Sequence, residues 1–188
     1  ADYTQNVRPA GGLELGRAYP ASTLIERMIT ESDNNAAIAL GGGDADTWMA
    51  RVFADLGLPR PRIDYPVGHY ETSPRHFATF FRALFSASYL DQAHSDRALE
   101  LLARTAFRRG LVAGVPADVR VAHKFGERTV GSQVELHDCG IVYCPERPYV
   151  LCVMTRGHDL DHLVSAVAEV SRATYQAVAA DASHAPGH

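Results

Sequence analysis

The chain has 188 residues, 46% of them hydrophobic, so it can bury a substantial core and we expect one structural domain. Its formal net charge of −4 argues against nucleic acid as the main partner. No apolar run is long enough to cross a bilayer, and the amino terminus lacks the basic and then apolar pattern of a signal segment. Composition therefore excludes a basic nucleic-acid binder and favours a globular domain without a membrane span.

The positive charges are divided very unevenly between the two basic residue types. The chain has seventeen arginines but a single lysine, Lys124. A compact ammonium on a flexible stem does chemistry that a planar guanidinium cannot copy. The sequence therefore indicates that Lys124 is present for its own chemistry.

The first part of the chain reads as an irregular segment, 1–20, followed by a helical lobe, 21–117. Ser22 or Thr23 can cap a first helix that ends near Glu31, and further helices are predicted over 35–40, from Asp44 to 56, from 74 to 85 and over 95–105. The proline-containing stretch 58–71 is predicted to be a loop. Helical spacing predicts that five aromatic side chains of this lobe are buried, namely Trp48, Phe77, Phe80, Phe81 and Phe85.

From residue 118 the hydrophobic period changes to two, which predicts strands over 118–126, 134–144 and 149–155. The last two form an antiparallel hairpin, and Asp159 caps a long helix that covers the sheet. The three cysteines all fall in this hairpin and are interpreted as small buried hydrophobic residues. We therefore predict an α+β fold with a sheet and helix lobe over 118–181 and a disordered tail over 182–188, the disorder beginning at about residue 181.

Two short polar motifs stand at element boundaries. Ser32-Asp33-Asn34 interrupts an apolar helical pattern where one helix ends and the next begins, and Lys124-Phe125-Gly126 ends a strand. A helical lobe with Ser-Asp-Asn, then a strand with Lys-x-Gly, a hairpin and a terminal helix resembles the class A β-lactamase and penicillin-binding serine hydrolase family. The resemblance continues through Met28-Ile29-Thr30, Thr72-Ser73-Pro74 and the run Val-Met-Thr-Arg-Gly at 153–157.

The resemblance implies a role for each motif residue. Ser32 would pass a proton to the leaving nitrogen, and Lys124 would orient Ser32 and supply positive potential for an anionic substrate. Asn34 would bind the amide side chain of the substrate, while a buried Asp33 would brace the loop. Gly126 would let the substrate backbone lie against the strand.

Three departures from the family pattern limit this reading. The nucleophilic serine of a Ser-x-x-Lys motif is absent, since the only lysine is Lys124 and position 121 is a valine. The Glu-x-x-Leu-Asn pattern that activates the deacylating water is also absent, with Asp64 or Glu71 as possible substitutes. The third departure is Phe125, which stands where the family has a hydroxyl residue that binds the substrate carboxylate.

These departures set the expectations for substrate and assembly. Phe125, Glu127 and Arg128 complete the predicted substrate-binding set, and Arg128 or Thr129 would hold a carboxylate if one is present. The family sheet has five strands, so a three-stranded remnant leaves the strand 149–155 with an open edge. We therefore expect a homodimer or a complementing amino-terminal segment at that edge.

The favoured interpretation is a serine hydrolase that acts on a small-molecule or peptidoglycan-like substrate, inactive without a nucleophile segment. One alternative is a non-catalytic module of the same fold that binds peptidoglycan or β-lactams. A second alternative is a zinc site at His158 and His162, with Asp159 and Asp161 beside them. The favoured reading implies no cofactor or metal, and the family implies a secreted, periplasmic or cell-envelope location.

Overall fold

The computed structural model describes residues 11–14, 16–64 and 69–183. Six α-helices are α1 Ala21–Thr30, α2 Asn34–Gly41, α3 Ala45–Asp55, α4 Pro74–Phe85, α5 Gln92–Ala103 and α6 Leu160–Ser183. The strands are β1 Arg62–Asp64, β2 His69–Glu71, β3 Val121–Val130, β4 Gln133–Val142 and β5 Tyr149–Gly157. The fold is therefore α+β, as predicted, and none of the described helices has the length and apolarity that a membrane span requires.

Several predicted boundaries were wrong because capping was assigned to the wrong residue. α1 follows Pro20 directly and has no side-chain cap, so neither Ser22 nor Thr23 caps it. Asp91 caps α5 by accepting a hydrogen bond from His94 N at 2.8 Å, which starts the helix three residues earlier than predicted. α6 continues to Ser183, so the predicted disorder is wrong for 181–183, and 184–188 lie outside the described residues.

The segment predicted to be a loop between α3 and α4 contains a short antiparallel hairpin. β1 pairs with β2 with Arg62 opposite Glu71 and Asp64 opposite His69. Three-residue strands are too short to give a period-two signal, so the sequence pattern missed them. The first part of the chain is therefore not all helix.

The main sheet has three antiparallel strands in the order β3-β4-β5 within the described residues. Lys124 lies opposite Cys139, and Cys139 lies opposite Cys152 on the next strand. Since alternate residues face opposite sides of a sheet, Ala122, Lys124 and Cys139 share one face, whereas His123, Phe125 and Asp138 share the other.

Apolar side chains cover both faces of this sheet. One core lies between the sheet, the 3₁₀ helix Leu111–Gly114 and α6, and it contains Phe107, Leu111, Val121, Phe125, Leu136, Val142, Leu163, Val164 and Val167. The other lies between the sheet and the helical part, and it contains Phe81, Leu99, Leu102, Ala122, Cys139 and Ile141. The sheet is thus the middle of three layers.

Two of the three cysteines do not behave as independent hydrophobic residues. Cys139 and Cys152 form a disulfide that joins β4 and β5, and only Cys144 is a buried free thiol. The interpretation of all three as small apolar residues was therefore wrong for this pair. Directly opposed positions on neighbouring antiparallel strands bring two Cβ atoms close enough for a disulfide, and register is not visible in the sequence.

The aromatic side chains of α3 and α4 divide into buried and exposed groups. Phe81 is 3% exposed, and Phe77 and Phe80 are half-buried, but Phe85 is 49% exposed and Trp48 is 67% exposed. The prediction of burial was therefore wrong for Trp48 and Phe85. Helical spacing gives the face of a helix but not how far the neighbouring layer extends along it.

We expect Phe81→Ala to lower the free energy of unfolding by about 3 to 5 kcal/mol, because a buried phenyl ring is replaced by a cavity. Phe85→Ala, on the same helix, should cost less than about 1 kcal/mol, because half of that ring already contacts water. Urea denaturation followed by circular dichroism measures both. An equal loss of unfolding free energy in the two variants would contradict the difference in burial between Phe81 and Phe85.

Candidate active site

The Ser-Asp-Asn loop and the strand with Lys-x-Gly meet in space. Lys124 Nζ donates a hydrogen bond of 2.5 Å to Ser32 Oγ across 92 residues of sequence. The same Nζ donates to the backbone oxygen of Phe125 at 2.6 Å. Both side chains are partly buried, so the ammonium is fixed by oxygens at the border of the protein interior. The contact that the sequence predicts is present, and the catalytic roles of the two residues remain predictions.

Asp33 fixes the loop between α1 and α2 from the protein interior, where its side chain is 2% exposed. One carboxylate oxygen caps α2 by accepting hydrogen bonds from Asn35 N at 2.9 Å and Ala36 N at 3.1 Å. The other accepts from Arg27 Nε at 3.0 Å. The predicted bracing position of Asp33 thus corresponds to a helix cap combined with a buried ion pair.

Ser32 itself lies in the left-handed region of the backbone, with a φ of 55°. A non-glycine residue there carries a cost of roughly 1 kcal/mol or more that the surrounding structure must offset. The cap at Asp33 and the bond to Lys124 supply that compensation. Strain of this kind at a polar turn is typical of functional sites.

Lys124 is electrostatically unusual. Burial lowers its pKa from 10.5 to about 8, and the negative charge of Asp138 opposes that shift. The Phe125 ring centroid lies 4.6 Å from Nζ, which adds a favourable cation–π contact. At neutral pH the ammonium is therefore charged, yet close enough to its pKa to respond to small changes around it.

A cleft of about 430 Å³ opens beside Lys124 between the helical part and the sheet. Its walls are mainly apolar, and the lining comprises Met49, Phe53, Thr72, Phe77, Phe80, Lys124, Phe125, Gly126, His137, Cys139 and Met154. A mostly apolar cleft with a few convergent polar groups has the character of a ligand site.

The residues that follow Lys124 on β3 alternate between the cleft and the core. Phe125 borders the cleft, but its side chain is only 2% exposed and packs on Phe107 with 4.6 Å between ring centroids. The ring therefore belongs mainly to the core, and the place of Phe125 in the substrate-binding set stays a prediction. Gly126 has open space around the position of a Cβ, which agrees with a backbone that a ligand can approach.

The other predicted substrate-binding residues, Asn34, Glu127 and Arg128, are not among the residues that line the cleft. Arg128 Nε lies 3.2 Å from Glu135, which also binds Arg156 at 2.6 Å. Glu127 is half-buried and lies opposite Leu136, so its side chain leaves the strand on the face away from Lys124. Asn34 is exposed as the first residue of α2.

His137 is a cleft residue that the sequence reading missed. It lies opposite Gly126 in the β3–β4 register and lines the cleft together with Lys124. Its Nδ1 is buried and has no hydrogen-bond partner among the described residues, and burial lowers the pKa of the ring. The sequence carries no local signal for this position, because it depends on the register that places His137 opposite Gly126.

The geometry does not support Asp64 or Glu71 as the residue that activates a deacylating water, nor a zinc site at His158. Glu71 is exposed and lines a separate pocket with Ser73 and His76, while Asp64 belongs to β1. His158 contacts Ser132 O at 2.8 Å, and in the part of the chain that the structure describes no three histidine, cysteine or acidic side chains gather as a metal site.

The residues proposed for zinc at the start of α6 have other partners. Asp159 caps α6 through the amides of Asp161 and His162, at 2.9 and 3.2 Å. Asp161 accepts a hydrogen bond from Arg109 at 2.6 Å. The acidic side chains therefore serve the helix terminus and an ion pair, and the zinc hypothesis stays a prediction without support from this geometry.

The arrangement of a helical part, a sheet and a terminal helix has known counterparts. The family model of the beta-lactamase enzyme family, Beta-lactamase2, matches residues 2–178, so the chain belongs to this family. No curated protein sequence matches the chain.

Solved structures give the same fold. PBP-A is similar with a TM-score of 0.73 and 29% identity, over 92% of this chain and 68% of PBP-A. A PBP-A variant solved as an acyl-enzyme complex with penicillin G has a TM-score of 0.72, with the same identity and coverage. A β-lactamase from Sphaerobacter thermophilus DSM 20745 is 25% identical with a TM-score of 0.71, over 91% of this chain and 69% of its own. The fold is therefore β-lactamase-like.

We expect Lys124→Met to be more stable than the wild type by about 1 kcal/mol at pH 7, since the cost of burying the ammonium exceeds its two hydrogen bonds. The folded chain has the lowered pKa, so the unfolded chain binds more protons between pH 8 and 10.5. The free energy of unfolding of the wild type therefore increases as the pH rises through this window, and the stability difference between Lys124→Met and the wild type narrows.

Urea denaturation at several pH values checks this prediction. Arg172→Met, which removes an exposed positive charge from α6, is the matched control and should show no such gain at pH 7. A Lys124→Met variant that is less stable than the wild type at pH 7 would contradict the expected cost of burial.

Proposed function

We propose that this chain supplies the proton-relay and substrate-binding part of a serine hydrolase that transfers acyl groups from β-lactam or peptidoglycan-like amides. The observation that carries the proposal is the 2.5 Å contact between Lys124 Nζ and Ser32 Oγ at the edge of an apolar cleft. A hydroxyl that accepts a hydrogen bond from an ammonium is oriented, and its own proton becomes easier to give to a leaving nitrogen.

The charge distribution supports this assignment. A partly desolvated ammonium attracts an anionic substrate more strongly than an exposed one, because the local dielectric constant is low. Gly126 lets the substrate backbone approach β3, and Asn34 is available to bind an amide side chain. Of the related structures, the PBP-A variant is an acyl-enzyme with penicillin G, which makes penicillins the first substrates to test.

The nucleophile must come from outside these 188 residues under this proposal. A Ser-x-x-Lys motif needs a lysine three positions after a serine, and Lys124 follows Val121. The Glu-x-x-Leu-Asn pattern for deacylation does not occur in the sequence either. We therefore expect acylation to be followed by slow release, in the manner of a penicillin-binding protein.

A second candidate is a non-catalytic module that binds the same ligands. The cleft of about 430 Å³ and its buried ammonium favour this function as well, because binding needs neither a nucleophile nor a deacylating base. Covalent capture of the ligand separates the two candidates.

The polypeptide encoded by the complete coding sequence should form a covalent adduct with penicillin G, which intact-protein mass spectrometry detects. Ser32→Ala and Lys124→Met should each slow adduct formation about 100-fold or more, because a proton relay contributes at least that factor. Ser86→Ala, which changes an exposed serine outside the cleft, is the control. Reversible binding without any adduct would favour the binding module.

The assembly expected from the sequence is also a proposal. Within the described residues β5 pairs only with β4, so its other edge has main-chain groups available for an added strand. We infer that this edge takes a strand from a second copy or from another segment of the protein. Edges that stay open invite uncontrolled pairing, and proteins normally cover them.

Hydrogen exchange combined with sedimentation velocity tests this inference. We expect slow hydrogen exchange for the β5 amides that point toward β4 and also for those that point away from it. The outward-pointing amides of β3, the other outer strand of the sheet, are the reference for exchange at an uncovered edge. Dimers in sedimentation would point to a second copy, and protected monomers to a segment of the same protein. Monomers with rapidly exchanging β5 amides would contradict the inference.

A further inference from the structure

A histidine and a carboxylate are completely buried directly behind the candidate active site. His123 precedes Lys124 on β3, and Asp138 lies on β4; both are 0% exposed. His123 Nδ1 donates to Asp138 Oδ1 at 2.7 Å, and the amide of Leu111 donates to Asp138 Oδ2 at 2.9 Å. The carboxylate is thus fixed by two hydrogen bonds inside the apolar core that α6 covers.

The surrounding backbone makes room for this pair. A Cβ on Gly110 would lie 2.3 Å from Asp138 Oδ2, and a Cβ on Gly140, opposite His123, would lie 2.5 Å from the His123 Cβ. Two glycines are therefore needed for the pair to fit. His123 Nε2 is buried without a partner among the described residues, which costs about 1 to 3 kcal/mol.

Stability alone does not explain such a pair. A buried polar pair is often no more stabilising than apolar residues of the same size, and this one leaves a ring nitrogen unsatisfied. Neighbouring residues on the same face, such as Val121, Phe125 and Leu136, are apolar core residues. A carboxylate at this depth therefore suggests a purpose other than packing.

Hydrogen bonds join the strand that carries His123 and Lys124 to the helix that precedes Ser32. Thr105 Oγ1 donates to the backbone oxygen of His123 at 2.7 Å. The next residue, Ala106, donates its amide to Thr30 O at 2.7 Å, two residues before Ser32. The segment 105–106 thus links the Ser32 loop to the strand that carries Lys124.

The charges around Lys124 single out Asp138. The Asp33 carboxylate pairs with Arg27, and Glu135 on β4 pairs with Arg128 and Arg156. His137 lines the cleft, and burial lowers the pKa of its ring, which favours the neutral form. Asp138 lies directly opposite Phe125, the residue after Lys124, and its negative charge favours the charged form of Lys124 against the effect of burial.

We propose that Asp138, held by His123 and the Leu111 amide directly opposite Phe125, is a positioning residue whose fixed negative charge behind β3 holds the Lys124 ammonium in its contact with Ser32. Lys124 and Ser32 then lie on the cleft side of the sheet, and the fixed negative charge of Asp138 lies on the core side. The proposal rests on the proposed function only in treating Lys124 as an active-site group.

The single lysine makes a direct test possible. Labelling with lysine that carries ¹³C at Cε gives one side-chain resonance, whose titration midpoint in the wild type we expect at about 8. Asp138→Asn should lower this midpoint by about one pH unit, because the opposing charge is lost while the burial remains. This measurement needs no catalysis, so failure of the proposed function would leave it interpretable.

The sign of the change separates a charge role from a merely structural one. If Asp138 only held the strands together, its loss would open the cleft, hydrate Lys124 and move the midpoint up toward 10.5. An unchanged or raised midpoint would therefore overturn the proposal. Asp161→Asn, an exposed carboxylate at the start of α6, is the control and should leave the midpoint unchanged.

Two further variants keep the test decisive. His123→Gln retains a donor for Asp138, so its midpoint should stay close to that of the wild type. Asp138→Ser removes the charge with a smaller side chain, and its midpoint should fall as in Asp138→Asn. If neither Asp138 variant shows a cooperative melting transition, the residue is required for folding and the positioning role is overturned.

Discussion

The hydrogen bond between Ser32 and Lys124 is the constraint on which the candidate site depends. It joins a turn between two helices to the middle of a strand 92 residues later, so it forms only if the helical part packs on the correct face of the sheet. An ammonium reaches this position only with oxygen partners to replace its hydration. The hydrogen bonds of Asp33 hold the loop that carries Ser32, and the register of β3 against β4 holds the strand that carries Lys124.

The same contact is costly for the fold. Burial opposes the charge of Lys124, and Ser32 occupies a backbone conformation that side chains disfavour. Apolar cores lie on both faces of the sheet that carries Lys124, with Phe81 and Leu102 on one side and Leu111 and Val167 on the other. Apolar packing of this kind is what allows a small polar site to be held in an unfavourable state.

The two faces of β3 explain why one departure from the family pattern matters less than the sequence suggests. Phe125 turns its ring into the core, where it stacks on Phe107 and lies beside the ammonium. The group that borders Gly126 on the cleft face is instead His137 on the neighbouring strand. The shape and polarity of this end of the cleft therefore depend on β4 as much as on the motif in β3.

The sequence by itself determined the class of fold, the order of the main elements and the two motifs, because hydrophobic periods and polar interruptions are local signals. It also marked Lys124, since one lysine among seventeen arginines is visible without any structure. The sequence pattern missed Asp91 as the cap of α5, because several residues near that helix start can act as caps. It also missed the hairpin β1–β2, whose strands are too short to show a period. The exposure of Trp48 was predicted wrongly, because a local pattern does not show how far a neighbouring layer extends.

Only the tertiary structure decided the rest of the site. Cross-strand register made Cys139 and Cys152 a disulfide, placed His137 in the cleft and paired His123 with Asp138 behind it. Each of these depends on which residue of one strand lies opposite which residue of the next. A shift of one position would turn all of these side chains to the other face, so the chemistry follows from register rather than from composition.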